Sequence, residues 1–187
     1  MEIADRIKAF QHELDMIKKP GTRSLTEECL RWAPDYFFTD CPSSSSGKYH
    51  PADEHCGIGT VLHTRRVARL IPDFATALLV EGYRDELVAA AILHDSVKQG
   101  IEKTGHTVRE HPILAAEIFA DCVRKHGEKL GIVREDAAIT YLAILHHMGK
   151  WGPVQPKQWM NEIWCVHLAD VAASRGYVSI KTLQEAA

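Results

Sequence analysis

The sequence predicts an all-α protein: a helical bundle of one domain, with a short N-terminal helical extension and a long irregular loop. Nearly every periodic stretch spaces its apolar residues at i, i+3, i+4 and i+7. We find no convincing β-alternation and no internal repeat, and most connections between the periodic stretches are short. With 187 residues, 45% of them hydrophobic and 25% charged, the chain can bury a full core without disulfides or a structural metal.

The N-terminal extension is predicted to contain two helices. The first covers residues 2–18, ends at Pro20-Gly21 and has these apolar residues at helical spacing: Ile3, Ile7, Phe10, Leu14 and Ile17. A capping box over Ser24–Glu27 predicts the start of a second, shorter helix. This helix must end before Pro34, because the residue that precedes a proline disfavours helical backbone.

Residues 33–59 lack periodicity and are predicted to form the irregular loop. The segment Pro42–Tyr49 resembles a phosphate-binding GxxxxGK[ST] loop. However, proline replaces its first glycine, tyrosine replaces its hydroxyl residue and no strand precedes it. We therefore interpret it as a serine-rich loop, and we divide the chain into an N-terminal part, 1–54, and a main domain, 55–187.

Helical patterns resume after the loop and continue almost to the end of the chain. Three of these helices are expected to end near a glycine, at Gly100, Gly127 and Gly149. The predicted helices cover residues 60–71, 73–82, 84–97, 111–126, 134–148 and 157–174.

Charge and cysteine usage exclude several classes of protein. A formal net charge of −3 argues against a surface that coats nucleic acid. The five cysteines are scattered and never spaced as Cys-x-x-Cys, which argues against a disulfide framework and a zinc ribbon. We expect a cytoplasmic protein without a membrane partner, because no signal peptide or apolar run of membrane-spanning length is present. The sequence makes no prediction of the oligomeric state.

Eleven histidines are the unusual feature of the composition. Helical spacing directs several of them, together with two aspartates, toward the apolar faces of five predicted helices. A single inward histidine is more often a hydrogen-bonded core residue than a metal ligand. Several ionisable groups buried together without partners would, however, cost much free energy. A shared divalent cation removes that cost, because imidazoles and carboxylates are both its ligands. The inward candidates are His63, His94, Asp95, His111, His146, His147 and Asp170.

The order and context of these residues, from about 55 to 175, resemble the HD superfamily of metal-dependent phosphohydrolases. The matching contexts are Ile92–Lys98, His111-Pro112 and His167–Asp170. Ser96 and Val97 depart from the common His-Asp-Ile-Gly-Lys form. Two further segments are similar to bacterial and phage HD proteins, namely Tyr49-His50-Pro51 and His147–Trp151, and the latter also resembles part of the HD-domain exoribonucleases.

The resemblance implies one or two divalent transition metals, and Fe, Mn, Ni and Zn all suit the ligand types. His63, His94, Asp95 and Asp170 would bind the first ion. His111 and His147 would bind a second ion with Asp95 bridging, and His146 is the alternative to its neighbour.

Catalytic and substrate-binding candidates flank the implied metal ligands. Asp95, Lys98 and His55 are the catalytic candidates, with His50 as the alternative to His55 for a general acid. The candidates for contact with substrate are Arg66, Lys98, Trp151 and Arg175, and Trp151, Tyr49 or Phe38 could stack on a base. The four remaining histidines we assign to the surface or to packing: His12, His106, His126 and His167.

The favoured function is hydrolysis of a phosphomonoester or phosphodiester, of a nucleotide or of a nucleic-acid end. The expected partner is a small phosphorylated substrate, and a short single strand would also fit. Two alternatives remain open: a diiron oxygenase of the HD type, and a non-catalytic HD module that binds a nucleotide.

Overall fold

The computed structural model describes residues 1–44 and 50–175, and its regular elements there are all helical. The prediction of an all-α protein is therefore confirmed. Three short 3-10 turns accompany the helices, at Ala52–His55, Glu81–Tyr83 and Gly149–Trp151. The α-helices are α1 (Ile3–Lys8), α2 (Gln11–Met16), α3 (Pro20–Trp32), α4 (Asp35–Thr39), α5 (Gly59–Ala77), α6 (Arg84–Leu93), α7 (His111–His126), α8 (Arg134–His146) and α9 (Asn161–Ala173).

Helix α6 lies at the centre of the bundle. It packs against α3, α5, α8 and α9, and every residue from Asp85 to Leu93 is buried. A helix that is apolar on all sides is stable only in such an enclosed position. The end of α6 therefore delivers the residues that follow it, His94 and Asp95, to the interior of the protein.

The N-terminal helix predicted over residues 2–18 is in fact two helices, α1 and α2. The chain turns at Phe10, whose φ of −117° and ψ of 16° are not helical. This turn lets Phe10 and Leu14 both reach the core, where the ring of Phe10 stacks at 5.9 Å on that of Phe37. Burial of these side chains outweighs the continuity of the helix.

Pro20-Gly21 begins helix α3 instead of ending the preceding one, so this part of the prediction is wrong. Proline suits the first helical position, since its missing N–H would have no partner inside the helix. The carboxylate of Asp85 accepts hydrogen bonds from the backbone N–H groups of Lys18 and Lys19, at 2.7 and 2.6 Å. This contact from a distant helix sets the start of α3, and sequence spacing alone could not reveal it.

Two further predictions of element boundaries are corrected. Helix α5 runs through Pro72, where two helices were predicted, because buried side chains on both sides hold it against the core. The irregular segment contains a short helix, α4, whose Tyr36, Phe37 and Phe38 are buried. Phe38 packs in the core against Phe10 and Phe37 and is therefore not available to stack on a base.

The helices before residue 54 share one core with those after it. Leu25 and Leu30 of α3 are buried, and α3 packs against α6 and α7. The division at residue 54 stays a prediction. Tyr49 and the Gly47-Lys48 pair of the serine-rich loop lie outside the described residues. Among the helices that the structure describes, none combines the length and the apolar character that crossing a membrane requires.

Candidate metal centre

Histidines and aspartates from five helices converge at one end of the bundle. His63 projects from the middle of α5, and Asp170 from α9. The others stand at helix ends: His94 and Asp95 directly after α6, His111 at the start of α7 and His147 directly after α8. All are buried except Asp170, which is partly exposed.

Neighbouring ligand atoms of the centre lie about as far apart as two ligands of one ion would. Asp95 Oδ1 is 3.0 Å from His111 Nε2 and 3.7 Å from His147 Nε2, while Asp95 Oδ2 is 3.7 Å from His94 Nε2. His63 Nε2 is 2.9 Å from Asp170 Oδ1. Two overlapping groups have their ligand atoms within 4.8 Å of one another: His63, His94 and Asp170, and His94, Asp95 and His147.

Backbone carbonyls fix the orientation of three of the imidazoles. Nδ1 of His94, His111 and His147 donates to the carbonyl oxygen of the third residue before it, at 2.7, 2.7 and 2.8 Å respectively. A carbonyl can only accept, so Nδ1 carries a proton and Nε2 is the nitrogen that faces the centre. This is the arrangement that metal-binding histidines use.

The ionisation states suit a cation. Burial, together with the nearby His94 and His111, lowers the pKa of His147 to about 3, so its imidazole is neutral. Burial likewise lowers the pKa of His94. Burial opposes ionisation of Asp95 and Asp170, but positive neighbours, led by Lys98 for Asp95 and His63 for Asp170, hold both carboxyl pKa values below the usual range.

An unpaired buried nitrogen supports the same interpretation. His94 Nε2 is shielded from solvent and has no hydrogen-bond partner, although a buried polar atom without a partner is costly. It lies beside the neutral imidazole of His147 and the ionised carboxylate of Asp95, and divalent transition metals bind both kinds of donor. The residues present therefore fit the ion that the sequence implies.

A cavity of about 600 Å³ opens over this centre. Its size is that of a pocket for a small ligand. Four of the converging side chains line it, namely Asp95, His111, His147 and Asp170, and the neighbouring Lys98 lines it as well. The other lining residues are His50, Thr107, Met148, Trp151, His167, Val171, Ser174 and Arg175.

Three of the predicted substrate contacts border this cavity. Lys98 is buried, and its Nζ donates to Asp95 Oδ2 at 2.6 Å. Trp151 is 55% exposed and Arg175 is half-buried, and both line the cavity beside the centre.

Three other predicted site residues lie elsewhere. Arg66 is not available as a phosphate ligand, because its guanidinium pairs with Asp53 and Glu54 and does not line the cavity. His55 is exposed, with its ring 3.3 Å from the carbonyl oxygen of His50, and it is His50 that reaches the cavity. His146 Nδ1 donates to the carbonyl of Val154 at 3.2 Å, outside both ligand groups, so His147 is the member of the pair that faces the centre.

Sequence reasoning missed two residues of the site. His167 was assigned to the surface or to packing, but it lines the cavity and donates from Nδ1 to the carbonyl oxygen of His147 at 2.7 Å. Its position one helical turn before Asp170 was a usable signal. Glu54, which is fully buried beside His50 and His63, gave no signal, since it lies in the segment without periodicity.

Comparison with known proteins gives one match. A family model described as the HD domain matches residues 60–174, a range that contains all six converging side chains. No curated protein and no solved structure matches the chain. The similarity to exoribonucleases is not shown by these comparisons.

Proposed function

The chain belongs to the HD-domain family of metal-dependent phosphohydrolases, since the match covers more than half of its length, and we propose that it hydrolyses a phosphate ester of a nucleotide. The observation on which this rests is the convergence of imidazoles and carboxylates from separate helices on the floor of a cavity. A fold needs no such cluster for its stability, whereas hydrolysis of a phosphate ester by a metal-dependent enzyme does.

We assign the ligands as follows. His63, His94, Asp95 and Asp170 would hold one divalent ion, and His111 and His147, together with Asp95, would hold a second. When bound, such ions supply Lewis acidity toward a phosphoryl oxygen and activate water at neutral pH. Fe, Mn, Ni and Zn all suit these donors.

Lys98 and Arg175 supply the positive charge that a phosphate group needs. Burial lowers the pKa of Lys98, but the adjacent Asp95 carboxylate outweighs this and raises it, so the ammonium group stays charged. Its remaining N–H groups can donate to a phosphoryl oxygen next to Asp95. Arg175 lines the same cavity and can bind a phosphate with two N–H groups at once.

A flat apolar group fits beside the phosphate position. The exposed ring of Trp151 lines the cavity together with Met148 and Val171. Stacking of a base on such a ring stabilises binding without selecting one base. A phosphate at one end and a flat ring at the other describe a nucleotide, and the end of a short single strand offers the same groups.

The test is a substrate screen of the purified chain. Nucleoside mono-, di- and triphosphates, cyclic dinucleotides and short oligonucleotides are each incubated with Mn²⁺, Fe²⁺, Ni²⁺ or Zn²⁺, and released phosphate and shortened products are measured. We expect metal-dependent hydrolysis of at least one nucleotide, abolished by chelation. Iron-dependent oxygen consumption with an organophosphonate would instead support the oxygenase. Nucleotide binding without turnover under any metal would support the non-catalytic module.

A further inference from the structure

Glu54 is a buried acid next to the candidate metal centre that is not among its assigned ligands. Its side chain is fully shielded from solvent. His50 Nδ1 lies 2.7 Å from Glu54 Oε2, and His63 Nδ1 lies 3.5 Å from the same oxygen. The other carboxylate oxygen, Oε1, pairs with the guanidinium of Arg66. These positive and polar neighbours outweigh the effect of burial and hold the pKa of Glu54 below its usual range.

The backbone of Glu54 is also fixed in place. Its carbonyl oxygen accepts hydrogen bonds from both the backbone N–H and the hydroxyl of Ser43, each at 3.1 Å. The start of α5 packs directly on this carbonyl, because a Cβ atom added to Gly59 would lie 1.8 Å from the oxygen. The irregular segment therefore holds the carboxylate of Glu54 at a defined position against His63.

His63 differs from the other histidines of the centre in what its Nδ1 faces. His94, His111 and His147 stand at helix ends, where a carbonyl oxygen three residues back accepts from Nδ1. His63 lies inside α5, where the carbonyls of the preceding turn are occupied by helical hydrogen bonds. His63 Nδ1 is buried without a hydrogen bond, and the carboxylate of Glu54 lies 3.5 Å from it.

We propose that Glu54 is a positioning residue that orients His63 for the metal, in the role that backbone carbonyls play for the other three histidines. His63 Nε2 donates to Asp170 Oδ1 at 2.9 Å. An ion bound at the centre would replace that proton, and a carboxylate beside Nδ1 would keep the remaining proton there and leave the Nε2 lone pair for the ion. The inference rests on the proposed function, since it assumes that His63 is a metal ligand.

His50, Glu54 and His63 could themselves hold a cation, because their ligand atoms lie within 4.8 Å of one another. Arg66 argues against this interpretation. Its guanidinium already pairs with one oxygen of Glu54, and a cation on the other oxygen would lie close to that positive charge. If Glu54 instead orients His63, its contacts with His50, His63 and Arg66 are explained without a cation close to the guanidinium.

The test measures binding of Mn²⁺ and Zn²⁺ to the metal-free full chain by titration calorimetry, for wild type, E54Q and E54A. We expect both variants to weaken one of the two sites, the one that contains His63, by about tenfold to a hundredfold with an unchanged number of ions, which is the usual effect of removing such a partner. The matched control is D53A, because Asp53 pairs with the same Arg66 but has no contact with His63, and it should change the affinity by less than about threefold.

A second measurement does not depend on E54A folding. Nitrogen-15 and proton NMR of the Zn²⁺-loaded chain should show a strongly hydrogen-bonded proton on Nδ1 of His63 in wild type, and a weaker hydrogen bond there in E54Q, because a neutral amide is a poorer acceptor than a carboxylate. Wild-type affinity in both Glu54 variants would overturn the inference, and so would loss of one whole ion, which would make Glu54 a ligand. A wild-type chain that binds neither metal would overturn the proposed function itself, whereas metal binding without hydrolysis would leave the role of Glu54 intact.

Discussion

Asp95 is in contact with more of the site than any other described side chain. One of its oxygens lies near His111 and His147, and the other near His94 and Lys98. A carboxylate in that position can bridge two cations, while a neutral side chain leaves several buried positive or polar groups without a partner.

We therefore expect D95A to lose both ions and to reduce hydrolysis to the background rate. Helix content, measured by circular dichroism, should stay close to that of wild type, because α6 is held by apolar burial on every side. Metal content is measured by plasma emission spectroscopy after dialysis. Full metal occupancy in D95A would contradict the bridging role.

The neighbouring histidines provide a paired test. His147 Nε2 lies 3.2 Å from His111 Nε2 in the centre, whereas His146 points away to the carbonyl of Val154. H147A should lose one of two ions and most of the activity, and H146A should keep both ions. H146A removes a buried hydrogen bond, at a cost of about 1 kcal/mol of stability. Loss of metal in H146A alone would reverse the assignment.

The sequence predicted the candidate ligands of the site better than their surroundings. His63, His94 and Asp170 were recognisable because helical spacing places them on apolar faces. Arg66 lies one turn after His63, but acids from an aperiodic loop occupy its guanidinium. Neither this pairing nor the position of Glu54 follows from periodicity, because both depend on where the loop returns to the bundle.

At the scale of the elements, the turn after α8 shapes the wall of the cavity. Gly149 begins the 3-10 turn with a φ of +60°, and His167 of α9 packs directly against it. A Cβ atom at Gly149 would lie 2.4 Å from the His167 ring carbon Cε1. The glycine is therefore required both by its backbone conformation and by the close approach of α9.

G149A should destabilise the protein by about 2–5 kcal/mol, from a left-handed backbone cost of about 1–2 kcal/mol and overpacking of about 1–3 kcal/mol. G131A is the matched control, since Gly131 has a φ of +65° but open space where the Cβ would lie. It should show only the backbone cost, of about 1–2 kcal/mol. Urea denaturation measures both, and equal losses would mean that His167 moves aside without strain.

The elements that sequence periodicity predicted most accurately are those with a steady apolar pattern and a glycine nearby. Helix α7 was predicted at residues 111–126, which are its observed bounds. The predictions erred at prolines: Pro20 begins a helix, and Pro72 lies inside one. A proline shows only that one N–H is missing, and tertiary packing decides whether the helix continues.

At the scale of the whole molecule, a well-packed bundle surrounds a polar centre that is costly to bury. The core contains large side chains from both halves of the chain, including Phe10, Phe37, Phe119 and Ile144. This apolar burial, rather than a metal, supplies most of the stability of the fold. The carboxylates and imidazoles at the end of the bundle oppose it, because their desolvation is only partly offset by hydrogen bonds.

Divalent metal should therefore stabilise the folded protein without being needed for folding. A free metal concentration of 100 times the Kd contributes about 2.7 kcal/mol. For a chain of 187 residues, this corresponds to a rise in Tm of about 5–10 °C, at about 2–4 °C per kcal/mol. Thermal melts of the chelated protein with and without Mn²⁺ measure the shift, and D95A should show little of it. Loss of helical structure on chelation alone would mean that the metal, and not the apolar core, holds the bundle together.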